Sequence, residues 1–385
     1  MTRKVIHIAL NGVTGRMGYR QHLVRSLLAI REEGGIPVGD GTVLFPEPVL
    51  VGRSEPRLRA IAERHGLSRW TTSLDEVLGD PEVSVYFDTQ LTSAREDALA
   101  RAIAAGKHVY TEKPVAGTAA AAFKLAEAAR SAGIVHGVVQ DKLFLPGMIK
   151  LRRLIREGFF GRVLSIRLEF GYWVFEGDGL PAQRPSWNYR AEDGGGIVLD
   201  MFPHWHYLLE DLFGPVSAVY ARRTVHLTRR WDEAGQPYEV TADDAAYAVL
   251  EFAGGAVASV NSSWAVRVNR RELVELQVDG THGSAVAGLR NCAVQHKVST
   301  PMPVWNPDLP DPLDYQAMWT DVPDNMDFGN GFKTQWEQYL RCAAAGVAFK
   351  QDLFAGARGV QLAELAMLSS DEGRRIVVDQ AGVPA

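Results

Sequence analysis

The chain opens on an apolar run, "KVIHIAL" at residues 4 to 10, which predicts a strand buried on both faces. "NGVTGRMG" follows at once, then "YRQHLVRSLLAI", whose apolar positions recur at helical spacing. This is strand, glycine turn, helix, and the alternation continues. "PVLVGRS" gives a second strand over residues 48 to 52, and "EPRLRAIAERHG" a helix. "SLDEVLGDPEV" reads as a short helix and turn, "VSVYFDT" as a third strand, and "SAREDALARAIAAG" as a helix stopped at Gly106. "KHVYTEKP" is a strand with its tail, "GTAAAAFKLAEAARSAG" a helix, and "IVHGVVQ" a further strand. Buried strands alternating with helices predict a parallel sheet covered on both faces, with ligands beyond the carboxyl ends of its strands.

The period changes after about residue 145. "PGMIKLRRLIREGFFG" predicts an amphipathic helix, and "RVLSIRLEFGYWVF" a long strand. The loop "EGDGLPAQRPSWNYRAEDGGG" is long enough to suggest function. "GIVLDMFPHWHYLLEDLFG" is helix-like, and the segments from "VSAVYARR" to "SAVAGL" alternate between Gly or Asn turns, as an antiparallel sheet does. Two helices, "FKTQWEQYLRCAAAG" and "GARGVQLAELAMLSSDEG", follow a Pro-rich loop, "STPMPVWNPDLPDPLDYQAMW". The expected fold is α/β: a parallel-sheet domain over residues 1–143, and over 144–385 an α+β domain. That second domain carries a large, mostly antiparallel, open-faced sheet, and the C-terminal helices are able to pack back on the first domain. An exposed "VASVNSSWAV" face needs a cover, either the chain's own helices or a second subunit in a homodimer or homotetramer.

Composition narrows the function classes. A length of 385 residues suits two domains. A formal net charge of -5, from 41 basic and 46 acidic side chains, gives no support to a nucleic-acid partner. Cys292 and Cys342 form neither a disulfide framework nor a metal-ligand pattern, so no metal is expected. A glycine turn interrupts the basic, apolar N-terminus too early for a signal peptide, and no run of about 18 apolar residues offers a membrane span. A soluble, cytoplasmic protein is expected.

The candidate chemistry lies in three places. Gly12, Gly15 and Gly18 between a first strand and a helix suit the approach of phosphate oxygens to backbone N–H groups, although their spacing also suits a mere tight turn. After the second strand the chain reads Gly52-Arg53-Ser54, without the carboxylate that would hold the ribose hydroxyls of NAD. Arg53 suits a 2′-phosphate with help from Ser54, which leans towards NADP; the alternative is a solvent-facing arginine. Lys113 stands at a strand end, restricted by Pro114. Asp200 and His204 are four apart and share a helix face just after glycines 194 to 196. His206 reads as structural, and Glu210 and Asp211 as facing solvent or capping the helix end. A histidine to take a hydroxyl proton, a lysine to stabilise charge on that oxygen and a carboxylate to orient the hydroxyl or the histidine are what nicotinamide-linked oxidation of an alcohol needs.

The turn at Gly12 to Gly18, "AGKHVYTEKP" at 105 to 114 and "GGGIVLDMFPH" at 194 to 204 together resemble the glucose-fructose oxidoreductase, inositol dehydrogenase and rhizopine-catabolism (Gfo/Idh/MocA) family. "LFLPGMIKLRRLIREGFFGRV" and "SSDEGRRIVV" extend the likeness along nearly all of the chain. The resemblance implies a dinucleotide-binding Rossmann domain over residues 1–143 and a substrate-binding and oligomerisation domain over 144–385. It implies an NAD(P)-dependent oxidoreductase acting on a sugar, sugar derivative or cyclitol, with Lys113, Asp200 and His204 as catalytic residues. It implies cofactor contacts at Gly12, Thr14, Gly15, Arg16, Met17, Arg53, Ser54, Thr89, Glu112 and Lys113. Lys142, Tyr172, Trp187 and Arg190 are candidates for the substrate, beside Asp200 and His204; Trp173 and Tyr189 also flank the long loop. The chain departs from the family in two places. It has Asp88-Thr89-Gln90-Leu91 where members carry Thr-Pro-Asn, and Gln140-Asp141-Lys142 where they often carry Asn-x-Arg. The glycine turn is locally closer to that of dihydrodipicolinate reductase. Two rivals are a glycosidase that uses NAD transiently and a sensor without catalysis.

Overall fold

The computed structural model describes residues 2–39, 41–173, 177, 179–302, 306, 308, 310 and 313–379. The described residues divide into two compact units, one of residues up to 144 with 329–361, the other of 145–328 with 362–379. Among the described residues no helix is long and apolar enough to cross a membrane.

The first unit is built on strands β1 (Thr2–Asn11), β2 (Ile36–Pro37), β3 (Thr42–Val51), β4 (Trp70–Thr71), β5 (Val83–Asp88), β6 (His108–Thr111) and β7 (His136–Val138). Their order is β2-β3-β1-β5-β6-β7, with β4 beside β3, and all pairs are parallel except β2 with β3. Strands β5 and β6 are buried along nearly their whole length because helices cover both faces, whereas β1 is buried only from Ile6 onward, its exposed start including Lys4 and Val5 of the expected buried run. The chain leaves β1 first towards β3 and later returns to β5 on its other side. Asn11 and Asp88 are paired at that reversal, the place where open α/β sheets bind ligands.

Helix α1 is π-wound over Gly18–Leu28 and continues as α over Ala29–Glu32, a winding that the periodicity did not foretell. The other helices of this sheet are α2 (Glu55–His65), α3 (Leu74–Gly79), α4 (Thr92–Ala104) and α5 (Ala119–Ser131). Strand β3 begins well before residue 48, through Pro46 and Pro48. Even-numbered positions of β3 point their N–H groups towards β2 and β4, as Leu50 does in bonding Arg69 O. Both prolines fall in the gap between those short partners, which pair only at residues 43–44 and 50–51. No ladder bond is therefore lost there. A helix over Gly331–Ala345 also packs in this unit, through Trp336, Tyr339 and Leu340.

The second unit starts with α6 (Pro146–Arg156) and β8 (Val163–Phe170). The strand ends at Phe170, and the predicted extension to Val174 and Phe175 lies outside the described residues. Helix α7 (Ile197–Phe213) follows, then β9 (Val216–Thr224) and a hairpin of β10 (Arg229–Trp231) and β11 (Pro237–Glu239). Strands β12 (Ala245–Phe252), β13 (Val257–Ser263), β14 (Val274–Gly280), β15 (Gly283–Ala287), β16 (Cys292–His296), β17 (Thr320–Asp321) and β18 (Ile376–Val377) complete a nine-stranded sheet. Its order is β17-β16-β15-β14-β8-β13-β12-β9-β18, antiparallel except for β8 with β13. The Pro-rich loop lies partly outside the described residues.

Helix α7 is anchored to this sheet by Trp205, whose indole N–H donates to Ser262 Oγ at 2.8 Å. Asp211 and Glu210 do not face solvent as expected. Asp211 pairs with Arg152 of α6 at 2.6 Å, largely out of water, and Glu210 lies 3.9 Å from the buried His206. Helix α6 brings its arginine to that flank of α7, which the sequence of α7 alone does not reveal.

Candidate active site

In the first unit, the candidate residues gather at the carboxyl ends of β1, β3, β5 and β6. The Gly12 N–H donates to Val51 O, and the Thr89 N–H to Asn11 O. Gly12 has φ +86°, and a Cβ there would lie 2.9 Å from the Thr89 carbonyl carbon. Only glycine lets the turn close against the exit of β5. Thr14, Gly15, Arg16 and Met17 complete the turn into α1, with Gly15 and Arg16 exposed. No side chain caps the start of the π-wound segment at Met17. Beside it is a cleft of about 340 Å³ lined by Asn11, Gly52, Arg53, Thr72, Gln90 and Asp97 among others. Arg53 is exposed, and Ser54 stands at the N-cap position of α2 without a side-chain capping bond. A glycine cradle leading into such a cleft fits a dinucleotide, with Gly12 to Met17 to hold the pyrophosphate and Arg53 and Ser54 to meet the adenosine ribose.

The departure at Asp88-Thr89-Gln90 proves to be a framework. The Asp88 carboxylate is fully buried and accepts bonds from the Tyr86 hydroxyl (2.7 Å), the Gln90 N–H (2.9 Å), the Gln90 amide (2.9 Å) and Arg95 Nε (3.2 Å). Asn11 donates in turn to the Tyr86 oxygen at 2.8 Å. Burial and the neighbouring Asp88 push the Tyr86 phenol well above its usual range, which keeps it a donor. Arg95 also bonds the carbonyls of Gln90 and Pro114. It thereby ties the exit of β5 to the turn after β6, where the Lys113–Pro114 peptide is cis.

Glu112 is held from behind. The Trp336 indole N–H donates to His22 Nδ1 at 3.0 Å, and His22 Nε2 lies 2.8 Å from Glu112 Oε1. An indole can only donate, so Nδ1 accepts and the ring hydrogen sits on Nε2, facing the carboxylate. Burial raises the Glu112 carboxyl, but the hydrogen bond from His22 leads the attractions, with Lys113 and Arg95, that hold it below the ordinary value. Its other oxygen accepts the Lys113 N–H at 3.1 Å. Lys113 is half-buried. Lys142 sits on a single 3-10 turn, Asp141–Phe144, with Nζ 3.8 Å from Asp141.

In the second unit, the glycine run opens α7. A Cβ on Gly195 would lie 2.5 Å from the carbonyl oxygens of Trp187 and Asn188, so the loop and the helix start are in backbone contact. Gly196 has φ +123° and passes against Asp243. The main-chain carbonyl of Asp243 accepts the Ile197 N–H and its carboxylate the Val198 N–H, both at 2.9 Å. The cap of α7 is thus supplied by a distant segment.

Asp200, in the first turn of α7, meets Arg184 Nη1 at 2.5 Å. Arg184 also reaches Asn188 Oδ1 at 3.3 Å, and its guanidinium lies 4.7 Å from the Trp264 ring centre. His204 is 7% exposed, and its Nδ1 lies 2.8 Å from the Tyr207 hydroxyl. Pro203 precedes it and has no N–H to give the carbonyl of Leu199. Arg190 does not make the contact with Asp200. It lies 4.5 Å from the Tyr238 ring centre and 3.9 Å from Asp193. Trp187 is exposed at 41%, whereas Tyr189 is buried, its hydroxyl pushed up to about 12 by that burial. Tyr172 is half-buried, 5.6 Å ring to ring from the exposed Trp173 and 5.7 Å from the Arg270 guanidinium.

Sequence reading passed over His22, Arg95, Trp336, Arg184 and Tyr207, and took Asp88 only as part of a departure from the family. Only Tyr207 carried a legible signal, because it stands three residues after His204 on a helix. His22 and Trp336 meet their partners across long stretches of chain, and Arg95 and Arg184 meet theirs through turns and loops without a period.

Comparison with known proteins agrees with this architecture. The oxidoreductase family with an NAD-binding Rossmann fold matches residues 7–139, and the GFO/IDH/MocA C-terminal domain family matches residues 148–286. The chain is 55% identical over 380 residues to a D-xylose dehydrogenase of Paenarthrobacter nicotinovorans, covering 98% of each chain. It is 31% identical over 278 residues to a 1,5-anhydro-D-fructose reductase of Ensifer adhaerens, covering 71% and 73% of the two chains. Its fold superposes on a levoglucosan dehydrogenase in complex with NADH and levoglucosan with a TM-score of 0.80 at 20% identity, over 98% of this chain and 100% of that one. On these grounds the chain belongs to the Gfo/Idh/MocA family and is an NAD(P)-dependent oxidoreductase.

Proposed function

We propose that this enzyme oxidises an aldopentose, D-xylose, at its hemiacetal carbon to the corresponding lactone, with NADP preferred over NAD. The observation that carries the choice of sugar is the likeness, from end to end, to a D-xylose dehydrogenase. C1 of a cyclic aldose bears a secondary hydroxyl, and the ring oxygen stabilises the positive character that develops as hydride departs. When bound, the nicotinamide supplies the acceptor for that hydride. His204 takes the proton of the C1 hydroxyl, so the balanced products are lactone, reduced cofactor and one proton. The Lys113 ammonium donates to the same oxygen and stabilises the charge it develops. Asp200, its charge balanced by Arg184, accepts from a neighbouring sugar hydroxyl. Lys142, Tyr172, Trp187 and Arg190 remain candidates for shaping the sugar site.

The test is a set of initial rates with D-xylose, other aldoses, a ketose and a cyclitol, each with both cofactors. D-xylose with NADP is expected to give the highest kcat/KM. A clear preference for a cyclitol or a ketose would reject the substrate assignment.

Arg53 and Ser54 support the cofactor preference, because Arg53 lines the cleft in a strand-end position without a carboxylate. Replacing Arg53 with alanine is expected to weaken NADPH roughly tenfold or more and to leave NADH nearly unchanged, as loss of one charge-assisted phosphate contact would. Fluorescence titration with each cofactor measures this, and an unchanged affinity ratio would reject the phosphate clamp.

We further assign the enzyme to the cytoplasm and to a homodimer or homotetramer formed through the open sheet of the second unit. Tyr220, Tyr247, Val249 and Val257 are exposed on adjacent strands, with Val249 paired to Tyr220 across β12 and β9. Such a face favours a second copy as its cover. Val249→Arg is expected to dissociate the assembly, which sedimentation analysis reads directly.

A further inference from the structure

We infer that Tyr207 is the positioning residue for His204, holding the ring hydrogen on Nδ1 so that Nε2 is the nitrogen that exchanges a proton with the sugar hydroxyl. This rests on the acid/base reading of His204 given above.

The geometry brings the two groups into hydrogen-bond contact, and the inference is that the ring nitrogen is the donor. The Tyr207 hydroxyl is 2.8 Å from His204 Nδ1, and the rings meet at 76° with centres 5.5 Å apart. The two residues stand three apart on α7, where side chains of successive turns meet. Both are buried, so little water competes for the contact. The carboxylate on this face, Asp200, is engaged with Arg184. Tyr207 thus stands at Nδ1, where many acid/base histidines have an orienting acceptor.

The consequence follows from the donor inventory of imidazole. In a neutral ring one nitrogen donates and the other accepts. A phenol oxygen that accepts from Nδ1–H leaves the Nε2 lone pair to receive a proton. As the sugar O–H bond breaks, Nε2–H forms, and the resulting imidazolium still donates from Nδ1 to the same oxygen. Tyr207 therefore serves His204 as base in oxidation and as acid in the reverse reduction, without a change of partner.

Tyr207→Phe keeps the ring and removes the oxygen. The expected result is a fall in kcat of roughly tenfold, the size of one lost neutral hydrogen bond, with KM for the sugar and affinity for NADPH unchanged. In protein labelled with ¹⁵N at histidine, the His204 nitrogens (assigned by their loss in His204→Gln) are expected to show Nδ1 protonated in the wild type. In Tyr207→Phe they are expected to shift towards the other tautomer. An unchanged kcat and unchanged nitrogen shifts in Tyr207→Phe, with His204→Gln inactive, would overturn the role of Tyr207 and leave the reading of His204 standing. Full activity in His204→Gln would overturn both. If Tyr207→Phe does not fold, the wild-type spectrum decides alone, since an Nε2-protonated neutral ring contradicts the assignment.

Discussion

Replacing His204 with alanine is expected to lower kcat by roughly 10²–10⁴, the range supplied by a positioned acid or base, while NADPH binding persists. The expectation rests on what the substitution leaves alone. His204 lies on α7, whose start is capped by Asp243 and whose middle is fixed by Trp205 on Ser262. Neither anchor involves the imidazole. The glycine cradle and the Arg53 cleft belong to the first unit. Loss of kcat without loss of cofactor affinity therefore isolates the chemical step. Steady-state kinetics and a fluorescence titration on the same sample check it, and full activity would refute the assigned role.

Lys113→Ala is expected to lower kcat by roughly 10²–10³, comparable to removing one donor from a site of developing negative charge. The main chain survives this change. Alanine keeps the N–H that donates to Glu112 Oε2. The Arg95 bond to the Pro114 carbonyl and the Trp336-to-His22-to-Glu112 chain are likewise untouched. The loss is thus attributable to the ammonium. Its signature separates it from His204: KM for the sugar is expected to rise as well, because the proposed role has the ammonium bond the sugar hydroxyl before reaction and during it. Near-wild-type kcat/KM would reject the role.

These two residues, and Asp200, were legible because their local patterns are specific. A lysine fixed between Glu112 and Pro114 at a strand end, and a helix opened by three glycines with Asp and His four apart, are written in adjacent residues. The same is true of Gly12, whose positive φ serves the close crossing against Thr89. The support around these residues was much less legible. Arg184 reaches Asp200 from a loop that has no period of its own. Arg190 is nearer in sequence but is taken up by Tyr238 and Asp193 instead. Asp88 looked like a missing family residue, yet folding makes it the acceptor that organises Tyr86, Gln90 and Arg95. His22 and Trp336 support Glu112 from 90 residues before it and from a helix near the end of the chain. Sequence pattern records which face of an element is apolar, but a polar group's partner is chosen by tertiary packing. Strand β3 shows the same limit in the backbone. Its two prolines obscured its first half, and they are tolerated only because β2 and β4 leave that stretch unpaired.

The central claim is that hydrogen moves from C1 of an aldopentose to the cofactor, with net turnover. It is tested most directly with D-xylose carrying deuterium at C1, incubated with the enzyme and NADP, followed by mass spectrometry of cofactor and sugar product. The account predicts reduced cofactor bearing one deuterium, matched mole for mole by lactone. Reduced cofactor without deuterium would place the oxidation at another carbon. Retention of the deuterium in the sugar, with no net reduction of cofactor and no lactone, would contradict a dehydrogenase; a glycosidase that uses NAD transiently returns the hydride it removes.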